Sequence, residues 1–203
     1  IYNSASMTLE EVIDVIKKAE QEGKMTVRLH TGDPSIYGAI QEQMDLLNEL
    51  HIAYDVVPGV SSFCGAAAAL KAEYTLPDVS QTVIITRMAG RTLVPEKEEI
   101  SLLAAHQATM AIFLSTGLLK PLRERLLIGG YREDTPAAIV YKATWPEQKT
   151  VHCTVGTLAA STRAAGITKI ALIVVGDFLA AQYDRSKLYD PTFTTEYRKG
   201  APQ

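Results

Sequence analysis

The stretch Val27-Arg28-Leu29-His30-Thr31-Gly32-Asp33-Pro34-Ser35-Ile36-Tyr37-Gly38 constrains this chain most, because it reads as a buried strand that turns sharply into a helix. Gly32 can take φ above zero and puts no Cβ in the way, Asp33 can cap the following helix, and Pro34 suits its first position. A corner of this kind leaves backbone amides facing whatever binds there. The tetrapeptide Thr31-Gly32-Asp33-Pro34 would equally serve a plain strand-to-helix turn, so it does not by itself make a ligand seat.

Helix and strand alternate along the rest of the chain. Thr8 and Glu11 form a capping box, after which Leu9, Val12, Ile13, Ile16 and Ala19 recur at helical spacing until Gly23, so residues 8–22 are predicted helical. A strand follows at 25–30, and Ile36, Tyr37, Ile40, Met44, Leu47 and Leu50 mark a second amphipathic helix. Residues 54–57 read as a strand ended by Pro58-Gly59-Val60, with Ser61 or Ser62 capping a smooth helix through Ala66 to Leu70 that lies on a parallel sheet. The polar connector Thr75-Leu76-Pro77-Asp78-Val79-Ser80 sets the expected boundary between domains 1–80 and 81–203. Beyond it, strands are predicted at 82–86, 110–114, 137–141, 149–155 and 170–175, and helices at 96–105, 118–128 and 157–165. The tail after Phe178 reads as polar and irregular.

With 203 residues, 47% hydrophobic and 21% charged, the chain can bury one large core or two modest ones. A formal charge of −3 argues against a nucleic-acid surface, which needs a concentrated basic face. Cys64 and Cys153 stand apart without a CxxC or Cys/His cluster, so neither a zinc site nor a disulfide framework is expected, and a reducing cytoplasm fits. No apolar run approaches the roughly 20 residues of a membrane span, and no signal-peptide pattern is present. The chain opens at Ile1 as if in the middle of a folded unit, so a front segment is expected to be missing.

In open α/β sheets ligands sit beyond the carboxyl ends of strands, and the suspicious loops fall there. They are Thr31-Gly32-Asp33, Pro58-Gly59-Val60-Ser61-Ser62, Leu114-Ser115-Thr116-Gly117 and Lys142-Ala143-Thr144, all rich in small residues and hydroxyls. Such loops suit a flat, polar ligand such as an adenosyl group. The chain has no GxSxG elbow, HExxH, phosphate loop or intact GxGxxG, and His30, His51, His106 and His152 show no ligand spacing. That pattern favours a reaction achieved by positioning, of which methyl transfer from a sulfonium is an example.

Several blocks in order, His30 to Ala39, Val57 to Ser62, Thr75 to Asp78, Gln81 to Ile84, Thr86-Arg87 and Gly90-Arg91-Thr92, resemble the tetrapyrrole methyltransferases of corrin synthesis. Within that superfamily, Val140-Tyr141-Lys142-Ala143-Thr144-Trp145-Pro146-Glu147 and Ser186-Lys187-Leu188-Tyr189-Asp190 resemble the precorrin-4 C11-methyltransferase family, its cobalt-precorrin-4 branch included. The resemblance covers almost the whole chain. It implies two α/β domains with S-adenosylmethionine in the cleft between them, S-adenosylhomocysteine as product, a tetrapyrrole substrate and a cytoplasmic homodimer. It also implies that the first domain lacks its opening strand and glycine-rich loop.

By motif, the resemblance assigns the cofactor to Thr31, Gly32, Asp33, Ile36, Ser61, Ser62, Leu114 and Ala143, with Gly32 the most sensitive to substitution. Arg87, Arg91 and Lys142 are the candidate partners of the macrocycle's carboxylates. It names no catalytic residue, and no metal ligand set is expected. The alternatives are a methyltransferase of the same fold acting at another corrin position or on uroporphyrinogen III, and a noncatalytic adenosyl-binding module.

Overall fold

A computed structural model describes residues 1–180 and 182–201. By compactness the chain parts into residues 1–62 and 63–203.

In the first unit, α1 (Leu9–Gln21) starts at the predicted capping box: the Glu11 amide donates to the Thr8 hydroxyl at 3.3 Å, and the Thr8 amide donates to the Glu11 carboxylate at 2.7 Å. Its apolar stripe of Val12, Ile13 and Ile16 is buried with Leu47 of α2 (Gln41–Glu49). Burial of each such aliphatic side chain contributes about 1.5–3 kcal/mol. The second helix begins later than its spacing predicts. Residues 34–37 form a turn, and Tyr37 and Ala39 take left-handed φ of 57° and 49°, which no helix can continue through. Asp33 therefore closes a turn onto the Ser35 amide and caps no helix.

The spans predicted as strands at 25–30 and 54–57 carry no regular structure and no sheet pairing among the described residues, and Met25, Val27, Leu29, Val56 and Val57 are exposed. β-Propensity expresses itself only where a neighbouring strand completes the ladder, so here the pattern yields no sheet among the described residues. Among its described residues, the first unit's regular elements are α1, α2 and a short 3-10 turn at Ser4–Ser6.

The second unit carries the expected α/β pattern. Its helices α3 (Ser62–Leu70), α4 (Ile100–Ala104), α5 (Leu119–Ile128) and α6 (Leu158–Ala164) flank strands β1 (Val83–Arg87), β2 (Thr109–Phe113), β3 (Pro136–Tyr141), β4 (Lys149–Thr154) and β5 (Ala171–Val175). The sheet order is β1-β2-β5-β3-β4, with β1 parallel to β2 and β5 antiparallel to both β2 and β3. The sheet is therefore mixed, not parallel. β5 is buried along its whole length, as its unbroken apolar run predicts. Its alternate residues feed two cores: Ala171, Ile173 and Val175 meet α4, α5 and α6, while Leu172 and Val174 meet Ala66 of α3, Tyr74, Leu76 and Phe178.

The connector is bound into that second core through Tyr74, Leu76 and Val79. The Tyr74 hydroxyl donates to the Phe63 carbonyl at 2.7 Å, the Thr109 hydroxyl to the Tyr74 carbonyl at 2.9 Å, and the Tyr74 ring meets Phe178 edge-on at 5.1 Å. The segment predicted as one helix at 96–105 is broken at Glu99, whose ψ of 139° is extended and whose carboxylate instead accepts the Ser101 amide at the start of α4. Among the described residues, no helix is long and apolar enough to cross a membrane.

Candidate active site

Two loops of the first unit meet at Asp33. Its Oδ2 accepts the Gly59 amide at 2.9 Å, and its Oδ1 accepts the Ser35 amide at 2.8 Å and the Ser35 hydroxyl. The Ser35 hydroxyl, then the Gly59 and Ser35 amides, hold the Asp33 carboxyl below the usual carboxylate range. An ionised carboxylate committed to two amides and a hydroxyl is a clamp on the two loops. Gly59 makes the loops' approach possible, because a Cβ there would overlap the carbonyl oxygen of Gly32.

Gly32 itself has φ of 71°, and a Cβ added to it would find Ser61 Cα and Ser62 N at 3.6 Å, which is ordinary contact. At Gly59 a side chain is barred by backbone overlap, whereas at Gly32 it is opposed by the left-handed φ itself. Thr31, Gly32 and Ser62 are exposed at this corner, Ile36 and Asp33 are half-buried, and Ser61 is buried.

In the second unit, β1, β2 and β3 all end at one edge of the sheet, so their following loops lie along it. Leu114, just past β2, and Lys142, just past β3, both take left-handed φ, 52° and 45°. For residues with a Cβ this costs about 1–2 kcal/mol each, a strain found most often at binding sites. Ser115 is fully buried: its hydroxyl donates to the Phe113 carbonyl at 2.6 Å and accepts the Met88 amide at 2.9 Å, which joins the loops after β1 and β2. The Thr116 hydroxyl donates to the Ala171 carbonyl at 3.1 Å and ties in the start of β5.

The three nominated cations differ. Arg87 donates from Nη1 to the Met88 and Thr92 carbonyls, each at 3.2 Å, and from Nη2 to the Leu93 carbonyl at 2.7 Å. Lys142 holds its ammonium 3.7 Å from the Glu147 carboxylate and 5.0 Å from the centre of the Trp145 ring, with its side chain 21% exposed. Arg91 is exposed, and its side chain has no hydrogen-bond or ion-pair partner among the described residues. Ala143 is half-buried where α3 passes closely. A Cβ on Gly65 would lie 3.4 Å from the Ala143 methyl.

The structure thus brings Thr31, Gly32 and Asp33 together with Ser61 and Ser62 in the first unit. In the second it sets Arg87, Arg91, Leu114, Lys142 and Ala143 along one sheet edge. Sequence reasoning did not single out Ser115, the Gly59 contact or the Trp145-Glu147 hold on Lys142. A buried serine between two strand ends carries no spacing signal, and only the pairing of β1 with β2 exposes its role. Among the described residues, no group of three His, Cys, Asp or Glu side chains is placed to hold a metal ion.

The sequence profile of the Tetrapyrrole (Corrin/Porphyrin) Methylases matches residues 1–159. The chain is 56% identical over 200 residues to the cobalt-precorrin-4 C(11)-methyltransferase of Methanocaldococcus jannaschii, covering 98% of this chain and 77% of that protein. It is 42% identical over 201 residues to the precorrin-4 C(11)-methyltransferase of Pseudomonas aeruginosa, covering 98% of this chain and 80% of that one. Among solved structures it is similar to a cobalamin biosynthetic enzyme, cobalt-precorrin-4 methyltransferase, with a TM-score of 0.87 at 48% identity over 89% of this chain and 75% of that chain.

Proposed function

The chain belongs to the tetrapyrrole methylase family, and from that premise we infer that it is an S-adenosylmethionine-dependent methyltransferase that methylates C11 of precorrin-4, free or as its cobalt chelate, in cobalamin biosynthesis. The observation that carries the reading is identity of 56% along nearly the whole chain to a C11-methyltransferase. Any cobalt belongs to the substrate macrocycle.

The residues at hand suit the methyl donor. At the Gly32 corner there is room, beside the Ser62 amide, that a single added Cβ would occupy. The exposed Thr31 and Ser62 add hydroxyls to it, which supports recognition of a flat polar group by backbone and short side chains. When bound, S-adenosylmethionine supplies an already activated methyl that passes to a carbon nucleophile of the macrocycle and leaves S-adenosylhomocysteine.

The protein's own task is then placement. We assign donor contacts to Thr31, Gly32, Ile36, Ser61, Ser62, Leu114 and Ala143. Asp33 shapes the corner through Gly59 and Ser35. Of the three cations proposed for the macrocycle's carboxylates, Arg91 alone has all its donors free among the described residues, and we assign that contact to it. A cytoplasmic location and a homodimer belong to the same proposal.

The test is incubation with methyl-labelled S-adenosylmethionine and cobalt-precorrin-4, followed by carbon NMR of the product. A label at C11 supports the reading. A label at another carbon moves the enzyme to a different corrin position, and calorimetric binding of the donor with no transfer to any tetrapyrrole makes the chain an adenosyl-binding module.

A further inference from the structure

We propose that Arg87 is a positioning residue that freezes the 88–93 loop so that Arg91, at its apex, meets a carboxylate of the macrocycle; this rests on the methyltransferase reading above. The guanidinium of Arg87 reaches three carbonyls of that loop, at Met88, Thr92 and Leu93, so it spans both of its ends. The Gly90 amide donates to the Thr92 carbonyl at 3.2 Å inside the same loop, and the Met88 amide is held by the buried Ser115 hydroxyl. Gly90 also packs on the far side: a Cβ there would lie 3.4 Å from Leu118 Cδ1.

Residues 88 to 93 are therefore fastened at the base, across the mouth and against the neighbouring loop, while Arg91 between these points is exposed. Three of the five N–H donors of Arg87 are already spent on carbonyls of its own loop, which fixes its plane there and leaves it fewer for an anion. A fixed arginine with a free fork is what bidentate carboxylate recognition requires, because the ordering has been done before the ligand arrives. Lysine at position 87 would keep the charge but could not span three carbonyls with one ammonium. Charge alone therefore does not account for Arg87, whereas shape does.

The experiment compares wild type with Arg87→Lys, Arg91→Ala and the double variant in steady-state methyl transfer to cobalt-precorrin-4. Calorimetry of S-adenosylmethionine and hydrogen exchange of the 88–93 amides accompany the kinetics. Arg91→Ala should raise the macrocycle KM about tenfold or more and leave donor affinity and loop exchange unchanged. Arg87→Lys should also raise KM severalfold, with kcat changed little, and should speed exchange at Ala89 to Thr92. The double variant should be no worse in KM than Arg91→Ala, because Arg87 acts through Arg91.

Additive losses in the double variant would mean that both arginines touch substrate, and would overturn the proposal. So would an Arg87→Lys enzyme with wild-type KM and exchange. A wild-type chain that transfers no methyl to any tetrapyrrole overturns the methyltransferase reading and the role of Arg91. The exchange arm alone then still decides whether Arg87 holds the loop.

Discussion

Gly59 lies so close to Gly32 that a side chain on the first would overlap the carbonyl oxygen of the second. The approach is locked by Asp33, which reaches across from the residue after Gly32 to the amide of Gly59. Gly59→Ala should accordingly force the loops apart, with a cost of about 1–3 kcal/mol for overpacking. Gly32→Ala should cost about 1–2 kcal/mol from its left-handed φ alone. Thermal unfolding and calorimetry of S-adenosylmethionine check the pair. Donor affinity should fall in both variants, and more at Gly59.

Acid should release the same corner. The Asp33 carboxyl titrates below its ordinary value because the Ser35 hydroxyl and the Gly59 and Ser35 amides favour its ionised form. The unfolded chain then binds the proton more readily, so the clamp is complete above about pH 4 and is lost as pH falls through the depressed folded value. Hydrogen exchange at the Gly59 amide, corrected for its intrinsic pH dependence, should lose protection over that range in wild type. In Asp33→Ala it should lack protection at every pH.

Alkali should act on the connector. Burial, and secondarily the Cys64 thiolate, push the Tyr74 phenol well above its ordinary value, and its hydroxyl donates to the Phe63 carbonyl. Its folded pKa is raised, so this contribution is fully present below the unfolded value of about 10 and fades as pH climbs beyond it. Tyr74→Phe should lose about 1 kcal/mol at pH 8. It should also be less sensitive to alkali than wild type. Urea midpoints at pH 8 and pH 11 measure both effects, with Tyr131, shifted upward by burial as well, leaving some alkaline loss in the variant.

Lys142 should prove structural. Its ammonium sits between Trp145 and Glu147, and its own carbonyl accepts the Trp145 amide at 3.0 Å, so it holds the turn that leaves β3. Lys142→Ala should lower stability by about 1 kcal/mol. The macrocycle KM should change less than twofold. A KM rise matching that of Arg91→Ala would instead place the ammonium on the substrate.

What the sequence disclosed follows how much each segment is determined by its own residues. The five strands of the second unit lie within one or two residues of their predicted spans, since each alternates or runs apolar into a sheet covered on both faces. The capping box at Thr8 was equally legible, being a purely local device. Residues 25–30 and 54–57 were not, because their pattern describes a strand while pairing depends on what lies beside them. Tyr37 and Ala39 stopped a helix whose apolar spacing ran straight through them, and no propensity foretells two left-handed residues with side chains. At the site, small residues and glycines advertised the loops, but the different uses of Arg87, Arg91 and Lys142 depend on carbonyls and rings supplied by folding.

The placement of β5 between β2 and β3 has a consequence for biosynthesis. Until residues 171–175 leave the ribosome, β1 has only β2 and β3 has only β4, two ribbons too small to be durable alone. β5, the last strand among the described residues, is the keystone that converts them into one sheet, so a nascent chain halted before Val175 would remain a client of chaperones.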